Sequence, residues 1–365
     1  MSLISLCMIV KNEEKILKEC LESIKDIPDE IIITDTGSKD NSVKIAEEYA
    51  DKVLHFDWIN DFSAARNYCE SKASGEYILT WDADWILSDK GRKFLLKLKN
   101  NKLNNLDLID GQWIIEKSDS DEVIKFTHRT IIFRRGSFHW TYPIHEKLVP
   151  NTKQTLTGEY FPEIEISHFK DPNDKSHRYK QSNTIVSALI KSKQCPAHVL
   201  FAHGENLLFQ KNYADSEAIF LDYLKEYLDE DETTSVMAIE RLMQIYLETE
   251  SLNKLEVLMR EYQKKFIHNP RFKLVLADSV AVSNILAADE YYEDYLKFPI
   301  KKGSDGRLYD YERYEIHPML MLANVYYVSN REQKAQKLLE RVIEQTKVPT
   351  TKEKAKLILK DILHE

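Results

Sequence analysis

The sequence predicts an α/β fold, a mostly parallel mixed sheet flanked by helices, followed by an all-α domain, with the change near residue 175. Three observations carry this. Apolar runs of strand length alternate with helical periodicity through the first 106 residues. From there to residue 168 strands follow one another without long helices between them, and beyond 175 only helical spacing remains. A chain of 365 residues holds about two domains, and 43% hydrophobic residues are enough to fill a core in each.

Residues 3–10 form a continuous apolar run of buried-strand type, after which Ile16, Leu17, Cys20, Leu21 and Ile24 recur at helical spacing. Strands over 30–34, 53–58 and 76–81 then alternate with helices over 43–50 and 63–72, the pattern of βαβ units. Residues 108–116, 129–135 and 164–168 make a β-rich extension. In the second half, residues 202–227 read as two helices with a turn at 210–213. Residues 245–258 repeat that plan around a turn at 248–251, and residues 325–339 do so around 329–331. These units resemble tetratricopeptide repeats, in which each helix pair completes its neighbour's core, although residues 297–311 break the register. The expected domains are therefore 1–174 for the site and 175–365 for acceptor binding or oligomerisation.

Composition excludes several classes. Only nine glycines are present, and neither G-x-G-x-x-G nor G-x-x-x-x-G-K-[ST] occurs, which disfavours Rossmann and P-loop nucleotide binding. Fifty-one basic against sixty acidic residues give a net charge of -9 with no basic stripe, so nucleic acid is not an expected partner. Cys7, Cys20, Cys69 and Cys195 form no C-x-x-C pair, and the N-terminus is strand-like where a signal peptide would be charged and then apolar. The expected compartment is reduced and cytoplasmic. No apolar stretch has the length of a membrane span, so no integral membrane segment is expected.

The chemistry concentrates at strand ends. Trp81-Asp82-Ala83-Asp84 closes an apolar strand with two carboxylates at the carboxyl edge of a parallel sheet, where open α/β sheets bind ligands. Hard oxygen ligands suit Mg²⁺ or Mn²⁺. Asn12 and Glu13 end the first strand and Asp35 the second, with Gly37 permitting a tight turn and Ser38 or Asp40 able to cap the next helix. Arg66 is a cation on the helix feeding the fourth strand, with phosphate or Asp61 as its alternative partners. Farther on, His145 and Glu146 stand beside Trp140 and Tyr142, a carboxylate and an imidazole near rings that suit a sugar face. His168 ends a later strand.

The segments "SLCMIVKNEE", "DEIIITDTGSKDNS", "WINDFSAARN" and "YILTWDADW", in this order and spacing, resemble the family 2 glycosyltransferases of the GT-A fold over roughly residues 1–170. That resemblance implies inverting transfer from a nucleotide sugar, usually a UDP-sugar, with Mn²⁺ or Mg²⁺ on the diphosphate. It implies that Val10 and Asn12 line the nucleoside pocket with Glu13 beside it, and that Asp35 meets the uracil. Asp82 would contact ribose or metal, Asp84 the metal, and His168 would complete the metal shell. Glu146 is the first choice of base and His145 the second. Family members often continue D-A-D with Glu where this chain has Trp85, which puts the neighbouring polar contact in doubt.

The same motifs, the segment from Arg129 to Arg134 and the helical second half are similar to the glycocin peptide glycosyltransferases, of the sublancin S-glycosyltransferase kind. The implied acceptor is a peptide Cys thiol or Ser hydroxyl, with a homodimer through the helical domain also open. The alternatives are transfer to lipopolysaccharide core or cell-surface polysaccharide, and a repeat scaffold with a degenerate GT-A domain. The presence of Asp35, Asp82, Asp84 and His168 argues against degeneracy.

Overall fold

A computed structural model describes residues 4–101, 103–117, 123–168, 175–300 and 309–364. They fall into two compact units, the first holding residues 4–116 and 126–188, the second 117–125, 189–300 and 309–364.

The first unit begins with Ile4–Val10 (β1), Leu17–Ile24 (α1), Glu30–Asp35 (β2), Ser42–Tyr49 (α2), Lys52–His55 (β3), Phe62–Glu70 (α3) and Tyr77–Asp82 (β4). Trp85–Leu87 (β5), Asp89–Asn101 (α4), Leu108–Lys117 (β6), Val123–Arg134 (β7), Phe138–Thr141 (β8), Lys147–Pro150 (β9), Gly158–His168 (β10) and Lys175–Lys191 (α5) follow. The large sheet runs β3-β2-β1-β4-β7-β6-β10-β5, and β8 and β9 form a separate hairpin. β1 pairs in parallel with β2 and β4, and β2 with β3, whereas β4–β7 and β10–β5 are antiparallel, the mixed sheet expected. β1 and β4 are central and buried on both faces, which is why their sequences run apolar without alternation. Leu17, Cys20, Leu21 and Ile24 of α1 bury against this sheet with Met8, Trp81 and Leu87.

Several elements depart from expectation. β3 stops at His55 instead of running to residue 58, because the chain leaves the sheet after Phe56 N–H donates to the Asp35 carbonyl (2.9 Å). β7 starts six residues earlier than residue 129. β5, α4 and the β8–β9 hairpin had no counterpart in the sequence pattern. Tyr309–Asp310 (β11) is a two-residue strand in the otherwise helical second half as described.

The second unit carries helix pairs. Ala197–Phe209 (α6) with Tyr213–Tyr227 (α7), Glu232–Glu248 (α8) with Leu252–Phe266 (α9), and His317–Val328 (α12) with Glu332–Gln345 (α13) are the three expected pairs. Pro270–Ser283 (α10), Asp289–Lys297 (α11) and Pro349–Leu363 (α14) are further α-helices among the described residues of the unit. The three turns are built alike. Asn212 N–H donates to Leu207 O, Ser251 N–H to Tyr246 O and Arg331 N–H to Tyr326 O, with Lys211, Glu250 and Asn330 in the left-handed region. This is the Schellman closure, which satisfies carbonyls that a helix end leaves free. Gly204 of α6 is where α7 comes closest: a Cβ there would lie 2.9 Å from the Phe220 ring. Between the pairs lies a buried ionic cluster, in which Glu240 faces Arg271 (3.3 Å) and Arg313 (3.2 Å), and Asp278 accepts from Arg313 (2.6 Å) and Tyr292 (2.6 Å). No helix among the described residues is long and apolar enough to cross a membrane.

Candidate active site

Strand register aligns the functional ends. Val10 stands opposite Asp35, Ile9 opposite Asp82, and Asp35 opposite His55, so three loops leave the sheet at one level. The loops after β1 and β2 are zipped together. Asn12 N–H donates to Ser38 Oγ (3.0 Å), Lys39 N–H returns to Asn12 Oδ1 (2.7 Å), and Glu13 N–H donates to Ser42 Oγ (2.7 Å). Ser38 is thus a loop clasp, while Asp40 accepts from the first helical N–H, that of Ser42 (3.0 Å). Asn12 takes a positive φ of 55°, which asparagine tolerates better than most residues. Asp35 is buried, and its carboxylate accepts from Gly37 N–H (3.0 Å) and Ser38 N–H (3.0 Å), with His55 Nδ1 at 3.7 Å. Sequence reading overlooked His55; its signal was the third strand end at the level of Asp35.

Helix α3 organises the second cluster. Asp61 caps it by accepting from Ala64 N–H (2.9 Å), and of the two partners expected for Arg66, Asp61 is not the one it takes. Arg66 instead donates from Nη2 to Asp82 (2.6 Å) and from Nε to Glu146 (2.7 Å). Burial alone would lower the guanidinium pKa, but the two carboxylates outweigh it and hold the pKa above its usual value. Burial pushes Glu146 upward and Arg66 more than cancels this, leaving its carboxyl below the ordinary range. One residue on, Asn67 and Trp140 exchange two hydrogen bonds, Nδ2 to the Trp140 carbonyl (2.9 Å) and the Trp140 N–H to Oδ1 (2.9 Å). The Trp140 indole lies over Arg66 (5.1 Å) and donates to Glu70 (2.5 Å). Burial raises the Glu70 carboxyl to about 7 against the lowering influence of Trp140 and Arg66. Tyr142 and His145 both have positive φ, 71° and 50°, strained backbone of the kind that collects at functional sites.

The third cluster pairs Asp84 with His168, Oδ2 to Nε2 at 2.8 Å, across the β5–β10 ladder in which His168 opposes Trp85. Trp85 is buried against Trp81 (5.4 Å) and Trp113 (6.3 Å), so the position offers no polar contact to a ligand. Asp82 turns to Arg66, and among the described residues no three Asp, Glu, His or Cys side chains stand together as a ready metal cage. The predicted residues are thus brought together as two neighbouring units, Asp82–Arg66–Glu146 and Asp84–His168.

Residues 5–160 match the family model described as glycosyl transferase family 2. The chain is 29% identical over 230 residues to the SPbeta prophage-derived glycosyltransferase SunS of Bacillus subtilis, covering 61% of this chain and 52% of that one. It is 52% identical over 84 residues to a TPR repeat-containing protein of Synechococcus elongatus, 23% of this chain and 21% of that one. The chain thus spans about a fifth to a half of the length of these curated relatives. Among solved structures it is similar to S. aureus TarS, at 14% identity and TM-score 0.37 over 71% of this chain and 55% of that one. Residues 5–160 are thus similar to the family 2 glycosyltransferases, and helix pairs of tetratricopeptide-like spacing follow them.

Proposed function

We propose that the chain is an inverting, metal-dependent transferase that moves a sugar from a UDP-sugar to a thiol or hydroxyl of a peptide. The observation that carries this is Arg66 spanning Asp82 and Glu146 beside the Asp84–His168 pair, at the carboxyl edge of the parallel strands. Nucleoside binding falls to the loops of Val10, Asn12, Glu13 and Asp35. The acceptor's O–H or S–H loses its proton to Glu146 while its electron pair forms the bond to the anomeric carbon. The bond from that carbon to the diphosphate oxygen breaks with its electrons, which inverts the configuration. Arg66 holds the base in place and keeps it ionised; His145 and the rings of Trp140 and Tyr142 shape the acceptor side.

The donor set of Asp84 and His168, one carboxylate and one imidazole, fits Mn²⁺ better than Mg²⁺, which prefers oxygen alone. A divalent cation held by these two residues, with Asp82, would supply positive charge to the departing diphosphate. A peptide acceptor is supported by the helix pairs of the second unit, since stacked repeats offer extended surfaces for chains.

The test is a panel of UDP-sugars incubated with the full chain, with and without Mn²⁺, reading UDP release. Metal-dependent release from one or a few donors is expected, and addition of a Cys- or Ser-containing peptide should raise it and increase the peptide's mass by one sugar. No release from any donor overturns the transferase. Transfer to carbohydrate acceptors alone overturns the peptide.

A further inference from the structure

The cations of the first unit are mostly spoken for. Arg66 has two carboxylates, and Arg134 of β7 is tied to Glu76 (2.5 Å), Asp107 (3.2 Å) and the Tyr77 hydroxyl (2.6 Å). Arg129, five residues earlier on the same strand, makes no hydrogen bond or ion pair among the described residues. Its guanidinium carbon lies 4.5 Å from the centroid of Trp113, on neighbouring β6. The Trp113 ring in turn meets His168 edge-on at 5.7 Å, so Arg129 and the Asp84–His168 pair flank one indole.

Arg129 is exposed to solvent and yet crowded. Desolvation by its neighbours lowers its pKa, Asp82 and Glu146 pull it up, and Arg66 pushes it down, so all three groups of the ion-pair chain lie within electrostatic reach. Arg129 thus reaches water and stands within electrostatic reach of the ion-pair chain. The Trp113 face fixes the plane of the guanidinium and leaves its fork of N–H donors unfilled, and such a fork matches the paired oxygens of phosphate or carboxylate. Asp82 and Glu146 do not fill it, because both are engaged by Arg66.

We propose that Arg129, stacked on Trp113, is a seat for a substrate oxyanion in this site, a phosphate of the donor's diphosphate or an acidic group on the acceptor. The role as a donor or acceptor contact rests on the transferase reading above; the capacity to take an oxyanion does not. As a seat on the diphosphate, Arg129 neutralises charge there and strengthens its hold as the bond to the sugar breaks and charge grows on the leaving oxygen.

The test compares full-length wild type with Arg129→Met and Arg129→Lys by calorimetric titration of UDP, uridine and inorganic diphosphate, together with transfer or hydrolysis kinetics. A seat on the donor weakens UDP and diphosphate binding in Arg129→Met by roughly 10- to 100-fold, the worth of a charged hydrogen-bonded pair, with uridine unchanged. Arg129→Lys recovers part of the loss, because the charge returns without the fork. A seat on the acceptor leaves donor binding unchanged and raises the acceptor KM in Arg129→Met. UDP, diphosphate and acceptor parameters all within twofold of wild type would overturn the proposal, as would equal losses for UDP and uridine. Thermal unfolding of both variants checks the fold, and with this side chain exposed both should melt close to wild type. A wild type that binds diphosphate through Arg129 but releases no UDP from any sugar nucleotide defeats the transferase reading and leaves the oxyanion seat standing.

Discussion

Arg66 and its two carboxylates make the site's chemistry depend on pH in a defined sense. The Glu146 carboxyl titrates below its ordinary value in the folded chain. Its pairing therefore stabilises the fold above the ordinary carboxylate range and is lost as pH falls through the lowered value. As the proposed base it stays ionised at neutral pH, and Glu146→Gln should lower the transfer rate by roughly a hundredfold to ten-thousandfold, with UDP affinity nearly unchanged, as read by separate binding and rate measurements. Glu70 behaves oppositely. Burial lifts its pKa to about 7, so its contribution is fully present below the ordinary carboxylate value and lost as pH rises through about 7. Glu70→Gln keeps an acceptor for the Trp140 indole. It should be more stable than wild type at pH 8, by a free energy on the order of 2–3 kcal/mol as read by urea unfolding, and match it at pH 5. Much of the residue scale was legible in the sequence: Asp84 with His168, and Asp82, Arg66 and Glu146, were all named from motifs. What the sequence did not show is who holds whom. Arg66 lies sixteen residues from Asp82 and eighty from Glu146, and only the folded chain brings them together.

At the scale of elements, α3 explains why "NDFSAARN" reads as a unit. Asp61 caps the helix, Phe62 N–H donates to the Pro143 carbonyl (2.9 Å), and Arg66 and Asn67 reach the segment from Trp140 to Glu146. Asn67→Ala removes both hydrogen bonds to Trp140 and should cost about 1–3 kcal/mol of stability, measured by urea unfolding. The recurring turns of the second unit make a different prediction. Glu250 is exposed and sits at φ 54°, a conformation costly for a residue with a Cβ. Glu250→Gly should raise the unfolding free energy by about 0.5–1 kcal/mol, the Cβ strain relieved less the backbone entropy that glycine loses. The three helix pairs were readable because apolar periodicity persists through helices of twelve to seventeen residues. β5, β8 and β9 were not, since three or four residues are too few to display a period.

At the scale of the molecule, the expected break at residue 175 reflects where strand signals end, and the first compact unit runs on to Ala188. The central claim is that the first unit performs a single direct displacement on a UDP-sugar, with Glu146 receiving the proton. The most direct measurement is proton NMR of the sugar first released when the wild-type chain hydrolyses a UDP-α-sugar, recorded before the free sugar equilibrates its anomers. One displacement predicts the β anomer first; the α anomer first would contradict it.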